Sequence, residues 1–354
     1  MRMVLCLWYL ALCFFSLQAQ DSSGLTISAY GEPYFTYDFS KPSSHTRPTF
    51  MYSHHRTGEV AINLALVRLA FTRERTRANL GLMAGTYANT NLATEPGVLK
   101  NLFEANAGYR LSKTKAIWAD AGVLPSHIGW EGAIGKDNWT LTRSLAADNS
   151  PYYEAGIRFS YSSLNQQWYF ALLLLNGWQR MQRVEGNQTM GWGWQVTFKP
   201  TGTITFNSSS FVGSDLPDST RRMRYFHNGY AIIELSERVS ITLGLDVGAQ
   251  QKEKGASTLH YWYTPVALLR GRIGKHLFAT GRVEHYKDRY GIIINQAPFA
   301  LWGYSTNLDW QLTPHLQWRV EAKCMKGRQA SFTDAQGRER RTNTSATTAL
   351  CFSF

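Results

Sequence analysis

The chain has 354 residues, of which 44% are hydrophobic, 14% are aromatic and only 18% are charged, and its formal net charge is +12. Soluble domains usually carry charge on about a quarter of their residues, so this composition argues against a soluble enzyme. The mean hydropathy of −0.29 argues equally against a bundle of membrane-spanning helices, which would be strongly apolar.

The first residues predict a secretory signal peptide. A short basic start precedes an apolar run over residues 4–16, and the small residue Ala19 follows shortly after it. This run is too short and wrongly flanked for a membrane-spanning helix. We therefore expect a signal peptide over residues 1–19, cleaved after Ala19, and a single domain over residues 20–354.

Beyond the signal, the sequence repeats one pattern, in which segments of about ten residues alternate apolar and polar side chains. In residues 302–312, for example, Trp302, Tyr304 and Leu308 alternate with polar or small residues. Such alternation predicts half-buried strands, and we count about sixteen of them. The predicted strands are 25–39, 58–72, 77–87, 102–112, 115–125, 152–162, 167–176, 190–200, 203–212, 224–236, 239–250, 261–272, 276–286, 300–312, 316–326 and 342–354.

Long polar loops, such as 40–57, 88–101, 126–151 and 327–341, alternate with very short turns along the chain. Barrels of the bacterial outer membrane have this asymmetry, with short periplasmic turns and longer external loops. A soluble β-sandwich would have to bury about sixteen apolar faces against one another, whereas lipid covers the faces of a barrel. The expected fold is therefore all-β, a transmembrane antiparallel up-and-down β-barrel.

Two predicted strands are irregular. In 58–72, Arg68 falls in register with the apolar residues Ile62, Leu64 and Leu66, which indicates a bulge or a misplaced boundary. Residues 172–175 are apolar on both faces, so one face is expected to pack beneath an inward-folded loop.

The last strand ends on alternating apolar residues, Leu350, Phe352 and the terminal Phe354. A terminal aromatic on an amphipathic strand resembles the signal that the outer-membrane barrel assembly machinery recognises in its clients. The alternative is an ordinary strand that happens to end in Phe.

The third long loop, 126–151, is expected to fold into the lumen and form a constriction. Its residues Trp130, Ile134, Trp139 and Leu145 suit a fully solvated loop poorly. An exposed loop without a gating role is the alternative. The constriction candidates are Glu131, Lys136, Asp137, Arg143 and Asp148.

The polar faces of the strands predict a lumen wall of mixed charge. Its candidate residues are Arg110, Arg158, Arg282, Arg319, Lys323, Asp246, Glu284 and Glu321. Mixed charge favours small dipolar solutes and weak ion selectivity. The same residues could instead form ion-paired ladders that stiffen the wall. Most of the positive excess lies in loops, where external clusters could bind lipopolysaccharide phosphates, and a mild anion preference stays open.

No catalytic or metal-binding constellation stands out. His54 and His55 lie in a loop without a carboxylate at metal-ligand spacing, so no metal or cofactor is expected. The basic clusters belong to a chain with a predicted secretory signal, so no nucleic-acid partner is expected. Cys324 and Cys351 fall on opposite faces of their strands, which predicts two free thiols.

Several short motifs resemble the OmpL-like putative β-barrel porin family of Bacteroidetes-type outer membranes. They are residues 122–125 (GVLP), 128–131 (IGWE), 141–145 (LTRSL), 149–153 (NSPYY) with Gly156, and 175–179 (LNGWQ). The resemblance implies a porin-like barrel but neither a solute nor any binding residue.

These observations predict an outer-membrane porin of a Gram-negative bacterium, a passive diffusion channel for small hydrophilic solutes or ions. The alternative is a plugged barrel that serves as a binding or assembly partner. An outer-membrane lipid hydrolase is a third and weaker reading, because no strand places Ser and His together convincingly. The expected partners are outer-membrane lipid and lipopolysaccharide and the assembly machinery, and the oligomeric state is left open between a monomer and a homo-oligomer.

Overall fold

The computed structural model describes residues 24–354, and the predicted signal peptide lies outside them. Sixteen antiparallel strands close into one barrel, in which each strand pairs with its neighbour along the barrel order. The first eight are β1 (Leu25–Asp38), β2 (Val60–Arg73), β3 (Thr76–Ala84), β4 (Leu102–Arg110), β5 (Ala116–Pro125), β6 (Tyr153–Ser162), β7 (Trp168–Leu175) and β8 (Gly191–Thr201). The other eight are β9 (Ile204–Gly213), β10 (Arg224–Glu234), β11 (Val239–Gln251), β12 (Leu259–Arg272), β13 (Leu277–Asp288), β14 (Phe299–Thr313), β15 (Leu316–Gly327) and β18 (Thr342–Ser353).

The remaining elements are short and lie in the long loops. They are the hairpin of β16 (Phe332–Thr333) and β17 (Glu339–Arg340), the helices α1 (Thr86–Asn91) and α2 (Leu145–Asp148), and the 3₁₀ turns Gly97–Asn101 and Gly135–Asp137. Within residues 24–354, no helix has the length and apolar character needed to cross a membrane.

The first and last strands close the barrel. β1 pairs with β18, and Ala29 and Phe354 exchange backbone hydrogen bonds of 3.0 and 3.2 Å. Closure satisfies the backbone groups that an open sheet edge would expose to hydrocarbon. The predicted fold class and strand number are confirmed.

The outer face of the barrel is apolar and its inner face is polar, which is the reverse of a soluble protein. In β14, Tyr304 and Leu308 are 47% and 45% exposed on the outside, whereas the inward Asn307 is fully buried. A soluble protein would bury the apolar residues instead. The predicted alternation is therefore correct, and the apolar outer face suits contact with lipid.

Both irregular strands behave as the sequence indicates. A register shift between β1 and β2 at Gly31 and Pro33 turns Leu64, Leu66 and Arg68 inward while Ile62 stays outside. The inward residues Leu173 and Leu175 of β7 are buried in one cluster with Ile128 from loop 126–152. The apolar inner face of β7 thus packs against a loop that enters the barrel.

The core of the molecule lies inside the barrel. Near the end that carries the long loops, five aromatic residues from β9, β10, β12, β13 and one loop pack together and form what we name the lumen cluster. Its members are Trp178, Phe211, Phe226, Trp262 and Tyr286, each at most 8% exposed. This cluster fills part of the lumen at that end.

Candidate functional site

The loop between β5 and β6, residues 126–152, enters the barrel; we name it the inward loop. At its beginning, the His127 ring lies between two strands: its Nδ1 is 2.7 Å from a carboxylate oxygen of Glu154, and its Nε2 is 2.9 Å from the carbonyl oxygen of Ser210. The Gly129 backbone N–H then donates to Asn228 Oδ1 at 3.2 Å. The loop is thereby attached to β6, β9 and β10.

The tip of the inward loop crosses to the opposite wall. The Trp130 ring packs edge-on against Tyr230, and it lies over Gly244, where a Cβ atom would come within 2.2 Å of the ring. Lys136 Nζ donates to Ser353 Oγ at 3.0 Å, next to the chain terminus. Since Ser353 lies at the short-turn end of β18, the loop extends through most of the height of the barrel.

The second half of the inward loop is held by charged residues of the wall. Arg319 donates to the carbonyl oxygens of Gly135 and Asn138 at 2.5 and 2.8 Å. Arg282 donates to Thr140 Oγ1 at 2.6 Å and to the carbonyl oxygen of Thr142 at 2.7 Å. These bonds satisfy loop carbonyls that would otherwise be buried without partners.

Two carboxylates of the wall also hold the inward loop, because they accept hydrogen bonds from its N–H and hydroxyl groups. Glu321 accepts bonds from the Thr142 backbone N–H at 2.5 Å and from its hydroxyl at 3.0 Å. Glu284 accepts a bond of 2.6 Å from the Leu145 backbone N–H and pairs with Lys323 Nζ at 3.0 Å. We name Arg282, Glu284, Arg319, Glu321 and Lys323 the loop anchor; its members are at most 2% exposed.

All predicted lumen-wall residues face inward, but they divide into two groups. The loop anchor and Asp246 are buried, and Asp246 accepts a bond of 2.5 Å from Asn228. Arg110 and Arg158 keep part of their surface exposed to the lumen. Most of the predicted lumen-wall residues therefore form buried ion pairs. A role of these residues in permeation stays a prediction.

The predicted constriction residues also divide. Glu131, Arg143 and Asp148 are buried, and burial raises the pKa of the Glu131 and Asp148 carboxyl groups above their ordinary values. Lys136 and Asp137 are exposed at the loop tip. The role of these five residues in limiting permeation stays a prediction.

The three buried constriction candidates have identifiable partners. Glu131 accepts hydrogen bonds from the backbone N–H and the hydroxyl of Ser144. Arg143 donates to the Ala133 carbonyl oxygen at 2.5 Å. Asp148 accepts a bond of 2.9 Å from the Ser53 hydroxyl in loop 39–59. Their contacts thus hold the inward loop together and tie it to the first long loop.

The histidine pair and the cysteines do not form a metal site in the described part of the chain. His54 is buried with Nε2 3.3 Å from Glu32, and within residues 24–354 no group of three or more His, Cys, Asp or Glu is placed to hold a metal ion. Cys324 is exposed and Cys351 is buried, and both thiols are free, as predicted.

A cavity of about 270 Å³ remains between the inward loop and the wall on the side of β2 to β6. Arg68 and Met83 line it from the wall, and Trp130, Ile134 and Asp137 line it from the loop. Arg68 is absent from the predicted lumen-wall residues, because the bulge in β2 reverses the face of the strand on which it lies.

Arg77 is a second wall residue that the sequence analysis missed. It lies in β3 and forms an ion pair with Asp120 of β5. Arg77 is the first residue of the predicted strand 77–87, but it is not among the predicted lumen-wall residues. Its spacing of two residues from the inward Asn79 is the signal that could have identified it.

The sequence matches the family described as "Putative beta-barrel porin-2, OmpL-like" over residues 24–354, whereas no curated protein matches it. The fold is similar to an anion-selective porin from Comamonas acidovorans, with a TM-score of 0.62, 9% identity, and coverage of 93% of this chain and 99% of that chain. The outer membrane channel DcaP of Acinetobacter baumannii gives a TM-score of 0.62, 8% identity, and coverage of 95% and 99%. OprB of Pseudomonas putida gives a TM-score of 0.59, 8% identity, and coverage of 94% of both chains.

At these identities the solved structures support the fold alone, whereas the family match spans all the described residues. Family and fold together indicate an outer-membrane location. This chain belongs to the OmpL-like putative β-barrel porin-2 family.

Proposed function

We propose that the protein is a passive diffusion channel for small hydrophilic solutes or ions, without catalytic activity, and that the inward loop forms its constriction. The observation that carries this proposal is the path of the loop. It is bonded to the wall from His127 to Leu145, and a cavity lies between it and the wall on the side of β2 to β6. A loop held in this way narrows the passage permanently.

The dimensions of the interior restrict the solute to a small one. The lumen cluster occupies the space near the long loops, with ring centroids of Trp178 and Phe226 only 4.7 Å apart. We expect a solute to pass beside the inward loop, where Arg68 and Asp137 line the cavity. Polar and charged groups on this path favour hydrophilic solutes.

A plugged barrel that binds a partner is the second candidate, and the lumen cluster is the observation that favours it. Trp178 packs edge-on against Phe211 and Phe226, and Phe226 stacks on Trp262. An apolar core inside a barrel resists water, as a plug would. The external loops would then present the binding surface.

Conductance in planar lipid bilayers distinguishes these two functions. We expect the purified protein to give stepwise conductance, and we expect larger steps from a variant in which residues 130–140 are replaced by a short Gly-Ser linker. Shortening the exposed loop 252–258 provides the control and is expected to leave the step size unchanged. A wild-type protein that stays closed while the linker variant conducts would contradict the channel and support the plugged barrel.

A further inference from the structure

The lumen exposes arginines and hides the carboxylates that pair with them. The side chains of Arg77 and Arg158 are 27% and 21% exposed, whereas their shared partner Asp120 is 1% exposed. Arg68 is 37% exposed over Glu104, which is 1% exposed. A solute in the lumen therefore meets guanidinium groups first, and the acidic groups lie beneath them.

The strand register builds this arrangement. Arg77, Gly108, Asp120 and Arg158 are consecutive cross-strand partners on β3 to β6, so the two arginines reach Asp120 from opposite sides. Arg77 donates to the two carboxylate oxygens at 2.6 and 2.5 Å, and Arg158 Nη2 lies 3.2 Å from Oδ2. The absence of a side chain at Gly108 leaves the space across which Arg77 reaches Asp120.

The pairing leaves positive charge unbalanced. Two guanidiniums share the single carboxylate of Asp120, so one positive charge is in excess on this side. On the other wall, Arg270 and Arg319 share Asp309, and only Arg270 is exposed to the lumen, at 20%. The surplus charge therefore faces the lumen at both places.

The other exposed charges inside the barrel do not cancel this surplus. At the loop tip, Lys136 and Asp137 are adjacent and offset each other. Near the short turns, the inward Glu234 is opposed by Lys199 and Arg272. Among the charged side chains that are exposed inside the barrel, the positive ones are therefore in excess.

We propose that this passage selects small anions over cations; the inference rests on the proposed channel and specifies its solute class. Guanidinium groups are weakly hydrated and match carboxylate, sulfate and phosphate groups with two parallel hydrogen bonds. Arg68 lines the cavity beside the inward loop, and Arg77 and Arg158 are partly exposed on the same wall. These arginines therefore attract anions and repel cations. The expected solutes are small molecules or ions that carry such groups.

The reversal potential across a potassium chloride gradient tests this selectivity. We expect chloride to permeate at least about fivefold more readily than potassium, because one unit charge about 4 Å away in water raises the local anion concentration about fivefold and lowers the local cation concentration by the same factor. The variant R158Q removes the surplus charge beside Asp120 and keeps the closer Arg77–Asp120 pair, while the surplus charge at Arg270 remains. Its preference for chloride should fall towards unity.

The matched control is K254Q, which removes the same charge from the exposed loop between β11 and β12. This variant should keep the wild-type reversal potential. A preference for potassium, or equal selectivity of the wild type and R158Q, would overturn the inference while leaving the channel itself intact.

A second measurement decides the sign of the lumen field even in a barrel that does not conduct. The Arg77 guanidinium lies 4.2 Å from the ring of Trp118 on the inner wall. The Trp118 fluorescence is the difference between the wild type and a W118F variant. Its ratio of iodide quenching to caesium quenching should exceed the ratio measured for free N-acetyltryptophanamide. An equal or lower ratio would overturn the anion inference, whereas failure of conductance alone overturns only the proposed channel.

Discussion

Glycines inside the barrel determine how closely buried carboxylates can approach the backbone. A Cβ atom at Gly108 would lie 2.1 Å from Asp120 Oδ1, and one at Gly135 would lie 2.2 Å from Glu32 Oε1. Neither residue has the positive φ that favours glycine. These positions therefore require glycine for space, and the nearby carboxylates depend on it.

Substitution of Gly108 by alanine tests this dependence. We expect G108A to lower the free energy of unfolding by about 1–3 kcal/mol, because the added methyl group displaces the buried Asp120 carboxylate from Arg77. Urea unfolding in lipid vesicles measures the change. The control is G281A on the outer face, where no atom lies within 4 Å of the added carbon. Equal stability of G108A and the wild type would contradict the argument.

At the scale of elements, the inward loop and strands β13 to β15 form one unit through the loop anchor. Arg282 lies 3.0 Å from Glu321, 3.5 Å from Glu284 and 3.8 Å from Glu131 of the loop. Buried ions of this kind are stable only while each charge keeps its partners. The loop position thus depends on the balance of these charges.

Removal of the central arginine should release the loop. We expect R282M to lower the free energy of unfolding by about 3–5 kcal/mol, because it leaves buried carboxylates without their counter-charge. Protease cleavage within residues 126–152 of the folded barrel should also increase. R272M is the control, since Arg272 is exposed at the end of β12. Unchanged protease resistance in R282M would show that the anchor does not hold the loop.

At the scale of the whole molecule, closure of the barrel joins the two ends of the described chain. The Phe352 ring covers Gly31 of β1 so closely that a Cβ atom there would lie 2.1 Å from it. Phe354, in contrast, is 70% exposed and bonds to Ala29 only through its backbone. Its side chain contributes little to packing, so its aromatic character is available for recognition.

Substitution of the last residue separates recognition from stability. We expect F354A to reduce the amount of folded barrel in the outer membrane several-fold, because the assembly machinery is proposed to read Leu350, Phe352 and Phe354. Refolding of purified F354A into detergent should proceed as in the wild type. The control F39A alters an exposed aromatic residue outside the last strand. Equally poor refolding of F354A in detergent would assign Phe354 a structural role instead.

The amino-acid sequence alone determined the strand number, the inward and outward faces and the presence of a loop rich in apolar residues at 126–151. These properties are local, because the side chains of a strand alternate with a period of two residues. The bulge in β2 shows the limit of this reasoning: one shifted residue moved Arg68 to the lumen and out of the predicted set.

Only the tertiary structure decided which charges face the lumen. Glu321 and Arg158 are both inward residues of a strand, yet Glu321 is buried against Thr142, which lies 179 positions earlier in the chain, whereas Arg158 stays exposed. Burial inside the barrel depends on the path of the inward loop. That path is set by contacts between residues far apart in sequence, which a local pattern does not record.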